Sequence, residues 1–328
     1  MKRREFITLL VGAAASWPLA AGSQQPMLPV VGVVGGGSFD GYTREVDAFR
    51  RGLSEAGFVE GQNVTVEYHW LEGRYDHLPA LMADLVRRRV ALIATNGSGP
   101  TALAAKAATA TIPIVFGIGE DPVALGLVAS LARPGGNATG INFFITETIA
   151  KRLRLLHDLL PGAARIAVLL NPKNDYTANA TSQGVQASAP ILGLQTRTIN
   201  ATNIDEIDKA FEIIAGEHFD ALFVAPDAFF TGRALQFADL TARYGIPASY
   251  GVREFAAAGG LMSYGTDLVD MNHQIGVYVA SILKGAKPDD LPVLQSTKFE
   301  FVLNLKAARA LSIEVPPGVL SIADEIID

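Results

Sequence analysis

From residue 30 onward the chain alternates short runs of adjacent apolar residues with longer stretches whose apolar residues recur every three or four positions. Continuous apolar runs suit strands buried on both faces, and such runs separated by amphipathic stretches specify a parallel sheet covered by helices. Val30 to Val34 reads as the first such strand, closed by a turn at Gly35-Gly36-Gly37. Val46, Phe49, Leu53 and Ala56 then line one helical face, with Gly57 at the stop position. Val64, Val66 and Tyr68 alternate as a strand, Leu78, Leu81 and Leu85 mark a helix, and Val90 to Ala94 is a strand. An Ala-rich helix over 101–109 and a strand over 112–116 complete the series.

The same order then recurs. Strands are expected at 165–170, 194–199, 221–224 and 246–250, and helices at 176–189, from Asn203, and at 233–244. Asn203 with Glu206 three residues on is a capping-box-like start. Ile-Pro pairs at 112–113 and 246–247 fall at matching points, and a period near 80 residues is too long for a solenoid. A chain of 328 residues is about two domains' worth. The fold class is therefore α/β: two similar Rossmann-like units with parallel sheets. A helix at 271–283 and a final strand and helix at 298–304 and 305–311 have no partner in the repeat, so they pack onto a lobe or cross between lobes.

Residues 1–23 stand apart from this pattern. Lys2, Arg3 and Arg4 precede a short apolar stretch from Ile7 to Ala15, and small residues follow around Ala20 to Ser23. That is the tripartite layout of an export signal, and Arg3-Arg4-Glu5-Phe6-Ile7 resembles the twin-arginine form. Cleavage near Ser23 takes three basic residues and one acidic residue away, moving the net charge from −6 to −8. There is no cysteine to carry a disulfide, a thiolate metal site or a lipid. The expected location is the periplasm, with the mature protein not membrane-anchored. An acidic chain without basic clusters excludes nucleic acid as the expected partner.

Ligands of open parallel sheets bind beyond the carboxyl ends of the strands. That rule selects the loops 35–42, 95–101, 117–122, 171–176, 225–230 and 249–253, three from each half. A ligand held by both halves lies in a cleft between them. In the first half the candidate ligand-binding residues are Ser38, Phe39, Asn96, Gly97, Ser98, Thr101, Gly119 and Glu120. In the second they are Asn171, Tyr176, Asp227, Phe229 and Tyr250. The run from Thr95 to Thr101 opens into a helix, so it is either an anion site or an ordinary capped start. Asp227 is either the partner of a ligand ammonium or the cap of the next helix. Phe229 and Phe230 are adjacent, so at most one faces the cleft. The five histidines show no metal-ligand spacing, and neither a G-x-S-x-G elbow nor a P-loop is present. No enzyme activity, metal or cofactor is expected.

Several stretches together resemble the ABC-transporter substrate-binding proteins of the tryptophan/tyrosine type, a branch of the type I periplasmic binding proteins. They are Phe49-Arg50-Arg51-Gly52-Leu53 with Gly57 to Val64, Ala104 to Phe116, Asp121-Pro122-Val123, Arg133-Pro134-Gly135-Gly136-Asn137 with Thr139-Gly140, Arg253 to Gly265, Lys284 to Pro288, and Thr297 to Glu300. The resemblance implies two Rossmann-like lobes joined by three crossovers, near 137–142, 260–264 and 295–299. Lobe one would then be 24–138 plus 265–294, and lobe two 139–264 plus 295–328. Carried over by position, Ser98 and Thr101 would hold a carboxylate and Asp227 an ammonium, while Asn142 and Tyr264 at crossovers could touch the ligand. The implied function is a monomeric receptor that captures a small molecule, an amino acid and in particular an aromatic one, by lobe closure. Its partner would be an inner-membrane ABC permease. A domain that signals to a membrane receptor is the alternative, since sensing and transport both need closure.

Overall fold

Val30–Gly35 (β1), Thr65–Trp70 (β2), Leu92–Asn96 (β3), Ile114–Ile118 (β4) and Ala138–Asn142 (β5) pair in parallel, each with nearly continuous burial except the half-exposed edge strand β2. The computed structural model describes residues 28–328 apart from Phe144. The export signal expected at 1–23 lies outside these residues. A second sheet is built from Arg165–Leu170 (β6), Gln195–Asn200 (β7), Ala221–Val224 (β8), Ala248–Tyr250 (β9) and Met262–Thr266 (β10). Leu294–Gln295 (β11) joins the first sheet, and Phe299–Asn304 (β12) and Glu325–Ile327 (β13) join the second. The orders are β11-β5-β4-β3-β1-β2 and β13-β12-β10-β9-β8-β6-β7. All pairings are parallel except β10 with β12. Each sheet with its helices has its own apolar core on both faces, which makes two α/β lobes.

The helices follow the expected faces. Thr43–Glu55 (α1) buries Val46, Phe49, Gly52 and Leu53, and Gly57 beyond its end takes φ +89°. Leu78–Arg87 (α2) and Gly99–Ala108 (α3) also belong to lobe one. Lobe two carries Ile145–Leu159 (α4), Asp175–Ser188 (α5), Ile204–Gly216 (α6), the single turn Ala228–Thr231 (α7), Ala234–Tyr244 (α8) and Arg253–Ala257 (α9). The start of α6 is capped by Asn203, whose Oδ1 accepts from the Glu206 amide at 3.0 Å. Glu206 reaches back to the Thr202 amide at 2.7 Å rather than to Asn203 itself.

The chain passes between the sheets three times. The first passage follows Asn142, because 138–142 pair with β4 inside the first sheet. The second is at Asp267, because 262–266 pair with β9 and β12 in the second sheet. Both lie beyond the expected 137–142 and 260–264, since the strands run on to the cleft before the chain crosses. The third occupies 296–298, within the expected 295–299. Leu268–Leu283 (α10) returns to lobe one and packs against α1 at unusually close range. A Cβ on Gly52 would lie 2.2 Å from the His273 carbonyl oxygen, and one on Gly276 2.3 Å from that of Phe49. The tail holds more than one strand and one helix: Leu305–Ala310 (α11), Pro317–Leu320 (α12) and β13 complete lobe two.

Candidate functional site in the interlobe cleft

Parallel strands all end on the same side of their sheet, so the loops after β1, β3 and β4 face those after β6, β8 and β9. The two sets touch. A Cβ on Gly37 would lie 3.0 Å from the Ala228 carbonyl oxygen, and one on Gly41 would lie 3.2 Å from Gly232 Cα. Only residues without side chains let the two backbones approach this closely. Across the same seam Arg44 meets Glu254 at 3.7 Å, and Thr177 Oγ1 donates to Glu120 Oε1 at 2.8 Å.

Between these contacts is a small cavity of about 40 Å³, with Tyr42, Gly97, Asn174, Thr177, Asp227 and Thr231 among its lining residues. That is room for roughly three waters. A more open cavity of about 460 Å³ adjoins it, shares Ile145 and Thr177 as wall, and adds Gly119, Glu120 and Tyr176. A larger solute therefore needs the lobes to part or the two spaces to merge.

Asp227 sits immediately before α7, and both roles open for it in the sequence bear on its geometry. Its Oδ1 accepts from the Phe229 and Phe230 amides at 3.1 and 3.2 Å, so it caps the turn. Asn171 Nδ2 donates to the same oxygen at 3.0 Å. Its Oδ2 accepts only from Asn174 Nδ2, at 3.2 Å, and keeps capacity for another donor. Burial pushes the Asp227 carboxyl above the ordinary range, and the four hydrogen bonds pull it part of the way back. Its neighbours are polar but uncharged.

Glu120, at the end of β4, is the second buried carboxyl of the cleft. Its carboxylate lies over the first residue of α3, and a Cβ on Gly99 would come within 2.9 Å of Oε1. Burial is the largest influence and raises its pKa, with Thr177 and the backbone amides acting against it. Tyr75 brings its hydroxyl near both acids; its pKa is raised first by burial and then by Asp227. Beneath the loops, Arg152 of α4 is wholly buried against the Phe223 ring and donates from Nη2 to the Val224 and Ser249 carbonyls at 2.7 and 2.8 Å. Those carbonyls end β8 and β9, so this guanidinium ties together two strands that carry the cleft loops. Burial lowers its pKa to about 9.

The remaining sequence candidates separate into three groups. Gly97 lines the small cavity at φ +69°, beside Asn96 and Ser98, which are buried with Asn96 Oδ1 and Ser98 Oγ unpartnered. Asn142 Nδ2 donates to the carbonyls of Ile118 and Glu120, and its Oδ1 is free. Ser38 lies at the seam against Gly232, Gly119 packs on Ile145, and Tyr176 stands half-exposed at the mouth.

Others do not reach the small cavity. Tyr250 is fully buried in the core of lobe two, stacked on Phe255 at 4.4 Å, because its strand position points it into the sheet–helix layer. Tyr264 stacks on Phe299 at 6.1 Å, since the antiparallel β10–β12 pairing brings the two rings to one face. Phe39 is exposed and lies edge-on to Trp70. Thr101 donates at 2.7 Å to the Ser98 carbonyl, closing its own helical turn. Phe229 spans the seam: it packs on Gly73 of lobe one beneath the Arg233 guanidinium, while Phe230 enters the core of lobe two.

Sequence reasoning named Tyr42 among the aromatic residues of the cleft loops but missed Asn174 and Thr177 on the cavity wall and Arg152 behind it. Asn174 lay inside a loop already selected, where the aromatic Tyr176 drew the choice. Arg152 had a readable signal, a charged residue on the apolar stripe of Ile149, Leu153 and Leu156. Among the described residues no cluster of His, Asp and Glu has the arrangement to hold a metal ion, and no helix is long and apolar enough to cross a membrane.

A family model described as ABC transporter substrate binding protein matches residues 30–327. A curated protein of Clostridioides difficile (strain R20291), the tyrosine-binding protein, is 24% identical over 266 residues, covering 81% of this chain and 76% of that protein. Among solved structures, a domain from Streptococcus pneumonia in complex with L-Trp is similar with a TM-score of 0.82 and 25% identity, covering 92% of this chain and 100% of that one. A conserved domain protein from Vibrio cholerae has a TM-score of 0.82 and 26% identity, covering 91% and 99%.

Proposed function

Because the chain belongs to the ABC transporter substrate-binding protein family, a family of solute-binding proteins rather than enzymes, we propose that it is the periplasmic receptor of an ABC importer and captures a small solute bearing a protonated amine. One observation carries this reading: Asp227 is a buried carboxylate on the wall of the interlobe cavity, answered by amides alone, with one oxygen holding a single hydrogen bond. A buried charge without a counter-charge is costly, and a ligand ammonium would supply the missing partner. The relatives that hold L-Trp and are named for tyrosine make amines and amino acids the first solutes to test.

Lobe closure is the proposed mechanism. The ligand adds contacts to both lobes only when they are together, so it shifts the population toward the closed form. The seam contacts of Arg44 with Glu254 and Thr177 with Glu120 would form in the same step. Delivery to an inner-membrane permease follows as the use of that closed shape, with the protein acting as a monomer after export. The test is titration calorimetry of the mature protein against amines, amino acids, neutral sugars and carboxylic acids. Binding is expected only among the solutes with a protonated amine. A sugar or a simple acid bound in their place would overturn the reading.

A further inference from the structure

The cleft contains two features that bear on which amine it accepts, and the argument rests on the amine-binding reading above. The amino end of α3 is a place in lobe one where backbone amides and a helix dipole could receive a ligand carboxylate. That place is taken by the chain itself. Glu120 lies over Gly99, where a Cβ would come within 2.9 Å of Oε1, and is held there from the other lobe by Thr177 at 2.8 Å. A ligand carboxylate would have to sit beside this buried carboxyl or displace it, and like charges at such range are strongly unfavourable.

One polar side chain on the cavity wall is oriented as an acceptor. Asn174 lines the cavity and is almost completely buried, and its Nδ2 faces the Asp227 carboxylate. The amide orientation is therefore fixed, and Oδ1 is left without a partner. Asn142 is fixed in the same way by two carbonyls, again leaving Oδ1 unpartnered and buried. Of these two, only Asn174 stands on the cavity wall, where its Oδ1 and the Asp227 Oδ2 have room for a donor. Among the described residues no arginine or lysine lines either cavity, and Arg152 is wholly buried behind the strand ends.

We propose that the physiological ligand is an organic cation lacking a free carboxylate, an amine rather than an α-amino acid, with Glu120 standing permanently where an amino acid would place its carboxylate. Glu120 is then a specificity-determining residue. It rejects the zwitterion and adds a second negative group for the amine.

The experiment is calorimetry with matched pairs that differ only in the carboxylate: tryptamine and L-Trp, tyramine and L-Tyr, agmatine and L-Arg, histamine and L-His. Each pair is titrated into wild type, Glu120→Gln and Glu120→Thr, all checked for an unchanged thermal midpoint and far-UV spectrum. The expected result is at least one pair in which the wild type binds the amine tenfold or more tighter than its parent amino acid. In Glu120→Thr, which uncovers the amides of α3, that ratio should fall at least tenfold, with Glu120→Gln in between. If wild type binds an amino acid as tightly as its amine, or if the ratio is the same in all three proteins, the role of Glu120 is refuted while the amine-binding reading stands. If no member of any pair binds to any of the proteins, both readings fall together.

Discussion

Substitution of Asp227 by Asn separates the two roles that this residue combines. Three of its four hydrogen bonds go to Oδ1, from the Asn171 side chain and the Phe229 and Phe230 amides. An asparagine presents an oxygen there equally well and is itself a good helix cap. At the other position its Nδ2 would meet Asn174 Nδ2, but Asn174 can turn its amide and offer the oxygen that has no partner in the native site. The exchange weakens hydrogen bonds that end on a charged group by about 1 kcal/mol, and it also removes a buried charge whose desolvation is unfavourable. These contributions oppose each other, so the thermal midpoint should move by no more than a few degrees. Binding behaves differently. A ligand ammonium that loses its buried counter-charge loses about 3–5 kcal/mol, or roughly 100- to 4,000-fold in affinity at 1.4 kcal/mol per tenfold. Calorimetry with the tightest-binding amine, alongside differential scanning fluorimetry of the unliganded protein, reads both quantities. Affinity within about fivefold of wild type would refute the ammonium assignment. A collapse of the midpoint would show that the negative charge, rather than the cap geometry, holds the loop.

Two further expectations concern the frame around the site. Gly276→Ala should destabilise the protein by about 1–3 kcal/mol, despite the helix-propensity gain of roughly 1 kcal/mol, because the new Cβ would lie 2.3 Å from the Phe49 carbonyl oxygen of α1. Gly216→Ala, where nothing lies within 4 Å, is the control and should be neutral or slightly stabilising in thermal denaturation; equal effects would refute the close-packing argument. Glu45 of α1 is pushed upward first by burial and then by Glu254 from the other lobe, with Arg44 opposing. A carboxyl raised in the folded state contributes stability that is complete below its ordinary pKa and is lost as pH rises through the raised value. Glu45→Gln should therefore gain thermal stability relative to wild type as pH is taken from about 4.5 upward, and a difference that is flat with pH would show that Glu45 is not held in a buried acidic contact.

The alternation of apolar runs and amphipathic stretches made most of the fold legible. Strand and helix order follow from it, as do the cap at Asn203, the stop at Gly57 and the loops that meet at the cleft. The ends of the crossovers were less legible. Ala138–Asn142 is buried like any other strand, and only its register against β4 shows that it stays in lobe one. That these loops face one another across the cleft was readable, because the carboxyl ends of parallel strands face one side whatever the residues are. Which side chains turn inward was not readable. Tyr250 and Tyr264 were chosen for their type and position, yet each is drawn against a stacking partner, Phe255 or Phe299.

By itself, then, the sequence determined the class of fold, its doubling and the six loops that meet between the lobes, because these depend on local periodicity and on the one-way polarity of a parallel sheet. Tertiary structure decided the chemistry of the cleft. Glu120 and Thr177 are 57 positions apart and Asp227 and Asn171 are 56, and nothing local sets such distances. In the sequence the amino end of α3 reads as either an anion site or an ordinary capped start. It is filled because a carboxylate from a neighbouring strand end reaches it, which only the side-by-side order of β3 and β4 could bring about.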